Sequence, residues 1–369
     1  MNTAERRATA ALWSIRGVGP VTLREVSARA GPVAELLERP VERWASLVPW
    51  RGDAYEHART IGSLAKQADW LEARCRSIAV EIAFAGDPAW PSQLDSLADA
   101  PPLLFVRGRG ARAPARRRLA IVGPRYPEGG AAQRLLDIAT EAAGAGLGIV
   151  SGAAIGIDQA AHRGALAARG ETWAFMGSAL DEIDSPQESI VAQMLDQGGT
   201  IFSEFPPGFR SNRNSFTLRN RLISGASDAV LIFRAGVKSG ALHTATAALA
   251  QGRPLLATPG DPWNEGAVGS NRLLNEGKAQ AHVGLGDLLR AAGLEGSLSP
   301  TATSESQVQA TFSEAGRSVL RLLQRGSSDF ETMLGSLPAL DSGQLAAALV
   351  ELEVEGAVMH KGGRRYEKR

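Results

Sequence analysis

Cysteine is almost missing from this sequence. One, Cys75, stands among 369 residues. That excludes a disulfide framework within the chain and points to a reducing compartment. An excess of one charge is missing too. The formal net charge is +1, so any basic surface must be local rather than global. Long hydrophobic runs are absent. The longest, such as residues 229–233, are strand-sized, and the charged start at Glu5, Arg6 and Arg7 precedes no signal-peptide core. The expected setting is the cytoplasm, with no membrane contact. Histidine is scarce, and His162, His243, His282 and His360 show no metal-ligand spacing with carboxylates. No metal, no cofactor and no catalytic residue is therefore expected.

What is present suits two or three domains: the length is sufficient, and 44% of residues are apolar. Residues 1–77 read as short helices, expected at 22–30, 32–38, 41–47 and 53–76, in a small domain of SAM or helix-hairpin-helix type. Its glycines Gly17 and Gly19 either offer turn amides to a DNA phosphate or simply make a tight turn. Residues 78–292 form the main domain. Strands are expected at 79–84 and 101–106, then an arginine run (Arg107, Arg109, Arg112, Arg116, Arg117, Arg118) leads into another strand. That run is either a solvated loop or a phosphate contact at a sheet edge. From residue 119 onward, strands at 119–122, 147–150, 172–175, 200–202, 229–233 and 255–257 alternate with helices. Near-continuous apolar strands separated by helices predict an α/β domain: an extended Rossmann-like, doubly wound, mostly parallel sheet.

In such sheets ligands sit at the carboxyl ends of the strands, and the unusual residues collect there. Gly123 and Arg125 follow one strand. Ser151, Gly152 and Gly156 follow the next and open a helix, the layout of a phosphate site in which a helix N-terminus meets an anion. It is neither a Gly-x-Gly-x-x-Gly loop nor a Walker loop. Arg219 and Arg221 lie on a helix just before residues 229–233. Arg234, Lys238, Ser239, Gly240 and Thr244 follow that strand. Asp158 and His162, one helical turn apart, read as a hydrogen-bonded structural pair, and Glu204 as a structural acid or, in a rival reading, a catalytic one. Phe202, Phe205, Phe209 and Phe216 are candidates to stack a base.

Residues 293–311, rich in Ser and Thr, read as a flexible linker. Residues 312–369 read as a winged helix: helices starting near Ser313, Ser328 and Asp341, then a hairpin with a Gly362-Gly363 turn. Lys361, Arg364 and Arg365 favour DNA contact by the wing, while Glu351, Glu353 and Glu355 on the third helix favour protein contact.

Taken together, several ordered motifs resemble the DprA/Smf family of DNA-processing proteins. They are Asp87-Pro-x-x-Pro91, Pro101-Pro-x-Leu-Phe-x-x-Gly108, Ile121-Val-Gly-x-Arg125, Ser151-Gly-x-Ala-x-Gly-Ile-Asp158, Ser203-Glu-Phe-Pro206, Arg219-Asn-Arg-Leu-Ile-Ser-Gly225, Ser239-Gly-Ala-Leu-x-Thr-Ala245 and Pro259-Gly260 with Gly269 and Asn271. The resemblance implies binding rather than turnover: a homodimer that holds single-stranded DNA on the Rossmann-like domain, protects it and delivers it to RecA in natural transformation. Duplex DNA and single-strand-binding protein are further partners to consider. Phosphate contacts carry over onto Arg125 and Lys238, then Arg221 and the Ser151-Gly152 and Ser239-Gly240 turns. The dimer surface falls near Asn271, Leu273 and Leu274. Ile155 stands where the family has Arg, and Pro124 where it has Ser or Thr; Arg234 is expected to restore the lost cation. The rivals are a Rossmann-like nucleoside-monophosphate hydrolase using Glu204, and a protein-interaction scaffold with incidental DNA affinity.

Overall fold

A computed structural model describes residues 1–40, 42–43, 54–111, 117–294, 312–323, 326, 328–354, 357–361 and 365–368. The chain divides into two compact units, Met1–Glu295 and Gly296–Arg369. All but residues 42–43 of the helix expected at 41–47, and nearly all of the 293–311 segment, lie outside the described residues.

The larger unit is built on one nine-stranded sheet in the order β1-β2-β6-β5-β4-β3-β7-β8-β9. The strands are β1 Glu81–Ala83, β2 Leu104–Gly108, β3 Arg118–Val122, β4 Gly148–Ser151, β5 Thr172–Phe175, β6 Thr200–Ser203, β7 Ala229–Ile232, β8 Leu255–Ala257 and β9 Gln280–Ala281. From β6 to β9 every neighbouring pair is parallel, whereas β1 and β2 join as an antiparallel pair and β2 meets β6 antiparallel. Strands β3, β4, β5, β7 and β8 are buried along their whole length. Helices cover both faces, which is why these strands read as apolar runs rather than as alternating ones.

After β1 and β2, the parallel part starts at the centre with β3, winds outward through β4, β5 and β6, then returns to the other side of β3 for β7, β8 and β9. The winding reverses between β3 and β7, and there the carboxyl ends of the strands leave a crevice. Helices α1 Thr3–Trp13, α2 Pro20–Ala30, α3 Ala54–Thr60 and α4 Leu64–Ser77 precede the sheet. Helices α5 Ala131–Gly144, α6 Ile157–Ala167, α7 Ser185–Asp196, α8 Arg213–Gly225, α9 Ala241–Ala250, α10 Val268–Asn275 and α11 Leu285–Ala291 are interspersed with its strands. Small residues set the closest contact. Gly164 on α6 lies against the Leu136 carbonyl and Ala139 of α5, with no room for a Cβ.

Residues 1–77 do not stand apart. Leu12, Ile15, Leu64 and Leu71 share one core with Phe105, Met176, Met194 and Ile201, and the Trp13 Nε1 donates to the Glu204 carbonyl at 2.7 Å.

The described arginines of the run lie at neither a sheet edge nor the ligand end. Arg118 begins β3 in the middle of the sheet, stacks 3.7 Å from the Trp173 ring centroid and pairs with Glu171 at 3.1 Å. Arg117 pairs with Asp228 at 2.7 Å. Arg107, on β2, faces Ile201 near the start of β6. All lie at the amino ends of the parallel strands; Arg112 and Arg116 lie outside the described residues.

The smaller unit has helices α12 Glu314–Leu323, α13 Phe330–Ser336 and α14 Ser342–Val354, around a three-stranded antiparallel sheet of β10 Ser328–Asp329, β11 Val358–Lys361 and β12 Arg365–Lys368. Ser328 pairs with Tyr366 in that sheet rather than starting a helix. Asp329 caps α13 instead, accepting from the Thr332 amide at 2.9 Å. Glu351 is not a free acid on α14: it accepts from the Ser313 amide at 2.9 Å and hydroxyl at 2.6 Å.

Candidate nucleic-acid interface

At the reversal point between β3 and β7 lies a cleft of about 1530 Å³. Three segments supply most of its lining. The turn after β3 contributes Gly123, Pro124, Arg125 and Tyr126. The start of α8 contributes Arg213, Phe216 and Asn220. The turn after β7 contributes Lys238, Ser239 and Gly240, with Thr244 one turn into α9. Close approach explains Gly123: a Cβ there would sit 2.7 Å from the Phe233 carbonyl and 2.8 Å from Ile157.

Arg125, Arg213 and Lys238 are exposed in this cleft. Among the described residues none of the three forms an ion pair. Arg125 lies 5.5 Å from the Phe216 ring centroid. Exposed acids on the same walls are Glu128 and Glu265, and Glu128 accepts from the Asn264 side chain at 3.2 Å. The N-terminus of α9 opens here without a side-chain cap at Gly240, and the Ser239 hydroxyl accepts from the Ala241 amide at 3.3 Å. A helix start beside unpaired cations suits an anion.

The turn after β4 is different. The Asp158 carboxylate folds back into it and accepts from the Gly152 amide at 3.2 Å and the Ala154 amide at 3.4 Å. The Ser151 hydroxyl is buried and donates to the Ile121 carbonyl at 2.6 Å. Arg219 runs beneath, fully enclosed, and its Nη1 donates to the carbonyls of Gly152 and Phe175. Gly152 is glycine because a Cβ would overlap that guanidinium. Gly156, at φ 89°, caps α6 where a Cβ would overlap the carbonyls of Pro124 and Arg125. Burial pushes the Asp158 carboxyl up against the pull of Arg219, and burial lowers Arg219 to about 10. The turn that looks most like a phosphate site is thus filled by the protein's own carboxylate, and Ser151, Gly152 and Arg219 build its wall.

His162 is not paired with Asp158. Its Nδ1 bonds the Thr172 hydroxyl at 2.7 Å, and burial lowers its pKa to about 3. Arg221 leaves the cleft altogether. Two residues on from Arg219, it points across α8, where its Nη2 donates to Glu204 at 2.6 Å and its Nε lies 3.3 Å from Asp99. Glu204 is 2% exposed, and its carboxyl is raised by burial. Arg234, at φ 62°, turns toward Gly260 after β8 and does not line the cleft. Phe202 is buried between Trp173 and Phe175, and Phe205 and Phe209 stack on each other at 4.3 Å outside the cleft; of the four phenylalanines only Phe216 lines it.

Gly17, at φ 85°, and Gly19, which caps α2, lie in the hairpin before α2. Asn271 brackets Gly260, donating to its carbonyl and accepting from its amide, both at 3.0 Å. Leu273 and Leu274 are half-buried against the sheet core. In the smaller unit Arg365 is exposed on β12, Lys361 ends β11, and Arg364 lies outside the described residues. Sequence reasoning missed Arg213 and Tyr126. Tyr126, 82% exposed, was signalled by its place just after Arg125. Arg213 had no motif to mark it.

Comparison with known proteins bears on this geometry. The family model of DNA recombination-mediator protein A matches residues 81–293. A Protein Smf of Synechocystis is 30% identical over 315 residues, 77% of this chain and 79% of that one. A putative DNA processing protein DprA of Mycobacterium tuberculosis is 34% identical over 252 residues, 67% of this chain and 64% of that one. Among solved structures, DNA processing protein A from Streptococcus pneumoniae superposes with a TM-score of 0.61 at 25% identity, over 78% of this chain and 98% of its own. DNA processing protein A from Helicobacter pylori, described for its single-stranded DNA binding mode, has a TM-score of 0.50 at 32% identity over 57% of this chain and 94% of its own. The reversal-point sheet, the ordered motifs and these matches place the chain in one family: it belongs to the DNA recombination-mediator protein A, or DprA/Smf, family.

Proposed function

We propose that the cleft between β3 and β7 holds the phosphates of single-stranded DNA, and that the protein is a recombination mediator which protects such DNA and hands it to RecA. The observation that carries this reading is the convergence of exposed, unpaired Arg125, Arg213 and Lys238 on the start of α9. Phe216 and Tyr126 on the same walls offer faces for bases. The solved relative described as binding single-stranded DNA supports the same reading. Glu204, the acid on which a nucleotide-hydrolase reading depends, lies across α8 in a salt bridge and does not line the cleft.

A homodimer through the α10 region, contact with single-strand-binding protein, and a winged-helix role for the smaller unit belong to the same proposal. Among the described residues no helix is long and apolar enough to cross a membrane, and no cluster of His, Cys, Asp and Glu could hold a metal.

The test is a salt titration of oligonucleotide binding with wild type and Lys238→Ala. Each lost phosphate contact lowers the log–log salt slope by about 0.7 for single strands, so the variant should bind more weakly and with a shallower slope. An unchanged slope and affinity would remove the cleft from the proposal.

A further inference from the structure

A second pocket, of about 610 Å³, lies between the amino-terminal helices and the sheet. Its walls are the glycine hairpin before α2, Trp70 of α4, the Phe205–Phe209 stack, and Leu218 and Arg221 of α8. Nothing in the cleft's chemistry requires it.

Four observations describe what it could take. Its aromatic faces are accessible: Trp70 is 47% exposed and Leu218 beside it 48%. The start of α2 opens into it. Gly19 caps that helix with no side-chain hydrogen bond, and Pro20 carries no N–H, so the donors this end offers an anion are the amides of the Gly17–Gly19 turn. Glu204 and Arg221 both line it, each less than a tenth exposed, and their ion pair leaves Glu204 Oε1 and Arg221 Nη1 without partners. Buried polar atoms of this kind are normally satisfied, and the two residues give the pocket a polar end beside its aromatic faces.

The fourth observation concerns α8 itself. Phe216 and Asn220 face the cleft, while Leu218 and Arg221 face this pocket. One helix, roughly 10–12 Å across with its side chains, separates the two. A strand spaced at about 3.4 Å per nucleotide crosses that width in roughly three or four nucleotides.

The geometry points to this pocket as a second subsite for the same DNA strand, taking one nucleotide with its base on the Phe205–Phe209 and Trp70 faces and its phosphate at the Gly17–Gly19 hairpin. This rests on the cleft binding single-stranded DNA. A strand leaving the cleft over α8 meets the pocket next, which favours a nucleotide over an apolar peptide as occupant. A free nucleotide presents the same chemistry.

The test is a length series of oligothymidylates, from about four to about sixteen nucleotides, a range matched to single-strand site sizes. It uses the full chain as wild type, Leu218→Glu, Phe209→Ala and Lys238→Ala. Leu218 is exposed, so Leu218→Glu should keep the fold, and thermal melts check it. The expected result is about tenfold weaker binding of the long oligonucleotides by both pocket variants, with the shortest unaffected, as expected for the loss of one stacked base. If both pocket variants keep the wild-type length dependence, the subsite is overturned.

Failure of the cleft reading looks different: Lys238→Ala then binds like wild type at every length. If the pocket variants still lose affinity in that case, the pocket binds nucleotide by itself and its role as a second subsite on the cleft's strand is overturned. If wild type binds no oligonucleotide, both fall. Competition by free thymidine monophosphate that removes only the Leu218-dependent part would mark the pocket as open to free nucleotide as well.

Discussion

Two glycine turns at the same end of one sheet meet opposite fates. The turn after β4 and the turn after β7 both run from a buried strand through a glycine-containing turn into a helix. The first is closed from within: Asp158 takes the Gly152 and Ala154 amides, and Arg219 holds the Gly152 carbonyl from below. The second is open, with Lys238 and Gly240 exposed and no carboxylate on its amides, only the Ser239 hydroxyl on the Ala241 amide at 3.3 Å. A carboxylate on turn amides does what a phosphate would do, so the difference lies in who supplies the anion. The closed turn supports the cleft's floor, and the open one is left for a ligand.

The comparison breaks most readily at Asp158. Asp158→Ala uncovers two amides and strips the neighbouring negative charge from enclosed Arg219. A loss of about 2–4 kcal/mol is expected, read by chemical denaturation. A stable variant would mean that the turn is not held by its own carboxylate.

Acid should weaken the closed side next. His162 beside it has a folded pKa of about 3 against an ordinary 6.5. Its neutral form is the one that fits the fold, so the unfolded chain takes up the proton first. The stability this gives is complete above the ordinary value and is lost as pH falls below it, by about 2 kcal/mol between pH 7 and pH 5. Asp158 and Glu204, both raised by burial, act in the opposite direction and gain stability as pH falls. His162→Gln isolates the histidine: the stability difference between wild type and variant should shift in the variant's favour on acidification. A pH-independent difference would mean that His162 titrates normally.

A pair of alanine substitutions sharpens the contrast. Gly152→Ala places a methyl in the Arg219 guanidinium and should cost about 1–3 kcal/mol by overpacking. Gly240→Ala has nothing within 4 Å of its Cβ, and its φ of −59° is ordinary helical backbone. It should change stability by roughly +0.4 to +1 kcal/mol at most, in the stabilising direction. Equal thermal shifts for the two would erase the distinction between a packed turn and an open one.

Much of the sheet was legible because strands covered on both faces must be apolar throughout, and β3, β4, β5, β7 and β8 read as such runs. The placement of charges was not. A run of six arginines with no acid between them read as a solvated loop or a phosphate contact, yet Arg117 and Arg118 are held by Asp228 and Glu171 at the amino ends of the strands. The neighbours Arg219 and Arg221 looked equivalent. At about 100° per residue, two positions along a helix lie on nearly opposite faces, so one passes under the cleft and the other leaves it. Arg213 lacked any motif and came to the cleft only because α8 begins there.

The order of strands and helices, the glycine turns at strand ends and the family itself follow from the sequence, since burial on two faces and left-handed or crowded backbone positions restrict which residues can stand there. Which turn is filled and which is open, and which arginines face solvent, was decided by the tertiary structure. A carboxylate six residues from an amide, or a guanidinium sixty-seven residues from a carbonyl, finds its partner only after the sheet has brought both to the same edge, and burial there makes each such pairing obligatory.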